Sequence, residues 1–106
     1  MSAHPDPHTR VTFVTGDAKG VGKTMIAKAL YLELAPRSRV IWFDEMASAA
    51  SLGAKPMDSM GFELGRGRQI DNVIISAGDS AFLAVALRHL GKAWVSTVRC
   101  DEARLA

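Results

Sequence analysis

The tightest constraint on the fold of this chain is a change of period around one glycine-rich turn, in VTFVTGDAKGVGKTMIAKAL, Val11 to Leu30. Before the turn, RVTFVTG is a short β-branched and aromatic run that stops at a glycine, which predicts a buried strand over Val11–Thr15. After it, Ile26, Ala29, Leu30 and Leu34 fall on one helical stripe beginning near Lys23, and Pro36 stops that helix near Ala35. A strand passed directly to a helix through a tight loop is the opening unit of an α/β layer structure.

The rest of the chain repeats this alternation. RVIWFDE predicts a second buried strand over Val40–Phe43, with Asp44 at its C-terminal end. NVIISAG predicts a third over Val73–Ser76, and AWVSTV a fourth. Between these two, Phe82, Leu83, Ala86, Leu87 and Leu90 form a helical stripe that Asp79 or Ser80 can cap and Gly91 can end. The stretch from Met46 to Asp71 carries Gly53, Pro56, Gly61, Gly65 and Gly67 without a sustained period, and is expected to be mostly loop, with a short helix near Ala47–Leu52. CDEARLA is expected to begin a last helix. The resulting order predicts an α/β fold, a parallel β-sheet with covering helices. Continuous apolar strands imply that both faces of the sheet are covered. Trp42 and Trp94 are expected in the core.

Composition narrows the class. A hydrophobic fraction of 48% with 23% charged residues excludes a disordered chain, and 106 residues set one domain as the ceiling, here residues 11–106. MSAHPDPHTR, residues 1–10, is expected to be a mobile tail: it has no apolar run for a signal peptide or anchor, and His4 and His8 read as part of it rather than as metal ligands. A formal net charge of +2 is too mild to identify a nucleic-acid binder. Arg66, Arg68, Arg88, Lys92, Arg99 and Arg104 read as solvated surface before they read as a DNA-binding face. Cys100 is the only cysteine, so no intrachain disulfide forms. With no run near the ~18 apolar residues of a membrane span, the expectation is a cytoplasmic chain without one.

The glycine loop carries the chemistry. A phosphate group needs several backbone N–H donors converging on it, which requires a chain that turns without Cβ clashes. Gly16, Gly20 and Gly22 supply that freedom, and the following helix aims its positive dipole end at the same point. Lys23 would reach the β- and γ-phosphates, and the Thr24 hydroxyl would complete a Mg²⁺ shell. The plainer alternative is a glycine-rich turn that only links strand to helix. In the pattern G-x-x-x-x-G-K-[ST] the first glycine would fall on Asp17; Gly16 precedes it, so the loop reads one residue longer. ATP with Mg²⁺ is the expected ligand, held along Gly16, Asp17, Ala18, Lys19, Gly20, Val21, Gly22, Lys23 and Thr24.

In that spacing TGDAKGVGKT resembles the loop of dethiobiotin synthetases, matching at Thr15, Gly16, Val21, Gly22, Lys23 and Thr24. It is also similar to K-G-G-V-G-K-T, the loop of the ParA/MinD partition ATPases, a family of the same P-loop superfamily. The resemblance implies a P-loop NTPase-like fold in which Lys23 and Asp44 are catalytic and Thr24 and Asp44 hold the metal. VIWFDE is similar to the second strand of partition ATPases, which ends in a carboxylate serving the metal or the attacking water; Asp44 holds that place, and capping the next segment is its alternative role. The family's signature lysine aligns with Ala18, next to Lys19, which is either that lysine slipped by one or a solvated loop residue. NVIISAGDS falls where the Walker B strand would, but Ser76 stands at the place of its carboxylate. Asp79 either substitutes through water or caps its helix. AWVSTVRCDEARL is similar to the family's next strand, with no role assigned to Arg99 or Asp101. Family members are longer, so the resemblance implies a truncated or minimal relative with an apolar edge strand open to self-association.

Three functions are implied by the resemblance. The first is an ATP-binding protein with slow Mg²⁺-dependent hydrolysis, switched by homodimerisation, that positions plasmids, chromosomes or other cargo and has DNA or a partner protein as its counterpart. The second is a dethiobiotin-synthetase-like ATP-dependent ligase. The third is a degenerate remnant that binds nucleotide without hydrolysing it, a reading favoured by Ser76.

Overall fold

The computed structural model describes residues 9–16, 22–67 and 69–100. Its strands are β1 (Thr9–Thr15), β2 (Val40–Asp44), β3 (Lys55–Pro56), β4 (Asn72–Ser76) and β5 (Ala93–Arg99); its α-helices are α1 (Lys23–Leu34), α2 (Met60–Leu64) and α3 (Ala81–Leu90). The strands form one sheet in the order β3-β2-β4-β1-β5, with every neighbouring pair parallel. The chain is therefore of the α/β class, as the alternation of periods predicts.

The period of two along each strand sorts the core into two layers. Val11, Phe13, Ile41, Phe43, Val73 and Ile75 face one side, where α2 and α3 cover them with Met60, Leu64, Phe82, Leu83 and Leu87. Val14, Trp42 and Ile74 face the other, beneath Ile26, Leu30, Tyr31 and Leu34 of α1. Helix α1 turns Ala27 into the sheet and leaves Ala29 exposed, so the buried stripe is rotated from the one read in the sequence. Asp79 caps α3 by accepting the Ala81 N–H at 2.8 Å, and Gly91 ends it at φ 73°.

Several expectations are corrected. Thr9 and Arg10 belong to β1 rather than to a tail, because Arg10 pairs with both Asn72 and Trp94 and ladder bonds do not require apolar side chains. The stretch after Met46 is structured: a 3-10 helix over Ala47–Leu52, then β3, a 3-10 turn over Met57–Ser59, and α2. Each of these pieces is too short to show a period. Trp42 is buried as expected, with its ring centroid 5.6 Å from that of Tyr31. Trp94 is not: it is 58% exposed, because β5 lies at the sheet edge and α1 packs over β2 and β4 instead. Val95 is exposed too, on the other face. The expected tail over residues 1–8 and the helix expected beyond Cys100 lie outside the described residues. Among those described, no helix is long and apolar enough to cross a membrane.

Candidate functional site

The sheet order creates a crevice at the C-terminal ends of its central strands. Strand β1 leads through α1 to β2, past β4, whereas β4 leads through α3 to β5, past β1. Neighbouring strands thus send their connections to opposite sides, and the space above them stays open.

Four segments meet there. Gly16 follows β1, and Gly22, at φ 94°, opens α1 from a left-handed conformation that glycine adopts without strain. No side chain caps the first turn of α1, which leaves its N–H groups for another acceptor. Lys23 folds back so that Nζ lies 3.5 Å from the Gly16 carbonyl oxygen and 4.0 Å from Glu45 Oε2. The Thr24 hydroxyl donates to Asp44 Oδ2 at 2.9 Å. Asp44 is buried at the end of β2, and its other oxygen accepts the Met46 N–H at 2.7 Å. Asp44 therefore caps the turn into the 3-10 helix and also reaches across to α1.

Ser76 completes the corner. It lies opposite Asp44 in the β2–β4 register, on the face that Trp42 and Asp44 share by their spacing of two. Its hydroxyl donates to Asp44 Oδ2 at 2.6 Å and accepts the Trp42 indole N–H at 2.8 Å, so an unbroken chain runs from a core indole to a carboxylate and on to Thr24. The carboxylate sought at the end of β4 is absent from that strand, but the Ser76 hydroxyl abuts one supplied by β2. Asp79 takes the capping role and bonds its own helix.

Glu45 was missed in the sequence. Its carboxylate approaches Lys23 and accepts the Gly78 N–H at 3.3 Å, tying the turn after β4 to the end of β2. The signal was the acidic pair Asp44-Glu45: successive residues at a strand end point to opposite sides, so two carboxylates there serve two neighbours. On the α3 side, Asp44, Glu45, Asp58, Met57, Met60 and Phe82 line a cleft of about 400 Å³.

The structure thus gathers Gly16, Gly22, Lys23, Thr24 and Asp44 at one corner, while Asp17, Ala18, Lys19, Gly20 and Val21 lie outside the described residues. The donor set is two hydroxyls and one carboxylate, all oxygen, with no cluster of three or more His, Cys, Asp or Glu among the described residues. That set fits a hard cation that keeps waters and shares phosphate oxygens, as Mg²⁺ does, rather than an ion caged wholly by protein. Compared with protein-family models, with curated proteins and with solved structures, the chain has no match.

Proposed function

We propose that this chain binds Mg²⁺-ATP at the corner formed by β1, β2, β4 and α1, and hydrolyses it slowly in the manner of ParA/MinD-type P-loop ATPases. The observation that carries the proposal is the 2.9 Å bond from Thr24 to Asp44. Two residues assigned to one cation from segments twenty positions apart are already in contact.

In this reading the uncapped first turn of α1 receives phosphate oxygens with its N–H groups and dipole. Lys23 leaves the Gly16 carbonyl and the carboxylate of Glu45 to meet the β- and γ-phosphates. Thr24 and Asp44 would hold Mg²⁺, which supplies neutralisation of the charge developing on the transferred phosphoryl group. Ser76 fixes the Asp44 carboxylate, so that its oxygens do not reorient as ligand arrives. Dimerisation, and DNA or another protein as the cargo-side partner, belong to the same proposal and rest on the resemblance of the loop.

Calorimetric titration with Mg²⁺-ATP, ADP and GTP tests it, with Lys23→Ala alongside. Removing a phosphate contact should weaken ATP binding by at least tenfold, about 1.4 kcal/mol. Absence of ATP binding by the unaltered protein would defeat the proposal. Binding without turnover would select the degenerate reading. The cleft of about 400 Å³ beside Asp44 and Glu45 favours one second reading, the ATP-dependent ligase, because it offers room for a small co-substrate next to the phosphates. ATP turnover that requires a small organic acid, and is indifferent to DNA, would select it.

A further inference from the structure

We propose that a second site, at the opposite end of β2, takes a small organic molecule carrying two acidic groups on an apolar body. Strand β3 pairs only with Phe43 and Asp44, so β2 has no strand beside its outer edge from Val40 to Trp42. A cavity of about 530 Å³ opens there, beneath α2. That volume suits a small organic ligand.

The lining is built in two parts. Val40, Ile41 and Ile70 make an apolar floor, and Arg39, Lys55 and Arg66 bring three cations to the walls. The single carboxylate among the lining residues, Glu63, is buried, which leaves the cavity with an excess of two positive charges. Lys55 Nζ and Arg66 Nη1 stand 3.7 and 3.6 Å from its oxygens. Charge-assisted hydrogen bonds are shorter, about 2.7–2.9 Å. Glu63 therefore steers both cations without saturating them, and both side chains remain nearly half exposed.

Arg66 is held in a second way. Its guanidinium lies over the Phe62 ring, 5.3 Å from the centroid, which flattens the group against α2 and fixes the direction of its N–H fork. A guanidinium fixed in this way matches a carboxylate or phosphate in two-point fashion. Arg39 stands on the other wall, where β2 begins. Two cationic walls across an apolar floor call for two anionic groups with an apolar spacer, which a bare inorganic ion does not provide.

The test uses backbone amide spectra of the full chain titrated with benzene-1,3-dicarboxylate, with the uncharged benzene-1,3-dicarboxamide as the matched probe. The diacid is expected to shift Ile41, Lys55, Arg66, Gln69 and Ile70 saturably, and the diamide is not. Arg39→Ala and Arg66→Ala should each weaken the diacid by at least tenfold, whereas Lys23→Ala leaves it unchanged, which separates this site from the nucleotide corner. Both arginines are exposed, so the variants should keep a dispersed spectrum; if Arg66→Ala does not, Arg39→Ala decides. Equal shifts by both probes, shifts confined to Lys23 and Thr24, or no saturable shift below about 1 mM would each overturn the proposal.

Discussion

Replacing Ser76 by alanine probes the hydrogen-bonded chain at its middle link. The substitution deletes a hydroxyl that the Trp42 indole uses as acceptor and that Asp44 uses as donor. Trp42 is only 1% exposed, so no solvent replaces the lost acceptor. An orphaned buried donor costs roughly 1–3 kcal/mol, and a hydrogen bond to a charged group is worth about 1.5–3 kcal/mol. Asp44 Oδ2 keeps Thr24 as a donor, so the two figures do not add in full, and the expected loss is about 2–4 kcal/mol. That is a large share of the 5–15 kcal/mol typical of a whole domain. Equilibrium urea unfolding followed by circular dichroism measures it. Ser51→Ala, which removes only an exposed bond to the Ser48 carbonyl, serves as the control and should stay within about 0.5 kcal/mol of the parent. Trp42→Phe creates its own void, but a double-mutant cycle cancels that term. Once the indole N–H is gone no donor is orphaned, so the pair should cost about 1 kcal/mol less than the sum of the singles. Additive losses, or a Ser76→Ala protein as stable as the Ser51 control, would show that the chain does not act as a unit.

Other outcomes rest on the same geometry. Acrylamide should quench Trp94 strongly and Trp42 weakly, so that Trp94→Phe leaves a single protected emission; two equally quenched tryptophans would contradict the uncovered edge strand. Trp94→Ser should change stability by no more than about 0.5 kcal/mol, and sedimentation at high concentration should show less self-association. Gly53→Ala should lower stability by about 1–3 kcal/mol in a thermal melt, because φ is +116° there and a Cβ would stand 2.9 Å from Tyr31 Cε2. Asp79→Ala should cost about 1 kcal/mol while Asp79→Asn retains most of the cap, since either side chain accepts the Ala81 N–H. A loss of ATP turnover in Asp79→Asn without a loss of stability would instead place that carboxylate in the metal site.

Strands and helices long enough to show a period could be read in advance, and their ends were missed by at most two residues. The 46–71 stretch could not be read, because a two-residue strand and a five-residue helix owe their existence to neighbours rather than to their own pattern. Trp94 misled for a related reason: β5 is as apolar as a central strand, and its exposure depends only on which strands α1 packs over. At the corner, the glycine–lysine–threonine run and the acidic end of β2 were visible as separate signals. Their contact was not visible, because it depends on β4 lying beside β2 and on Ser76 filling the gap. Glu45 was missed because a charged residue at a strand end gives no hint of the loop that will come to rest against it.

The placement of β4 also bears on how the chain is made. The first two strands to leave the ribosome, β1 and β2, do not touch in the finished sheet, because β4 lies between them. Residues 9–44 therefore emerge as two apolar strands with no partner for each other, and remain so until the chain is synthesised beyond Ser76. Such non-local pairing slows folding and leaves apolar segments open to wrong partners in the meantime. Thr24 and Asp44 are present early in synthesis, but the strand that carries Ser76 must dock before the corner closes around them. A ribosome stalled before residue 72 would hold a nascent chain with the loop, the lysine and the aspartate all present and without the strand that brings β1 and β2 into one sheet.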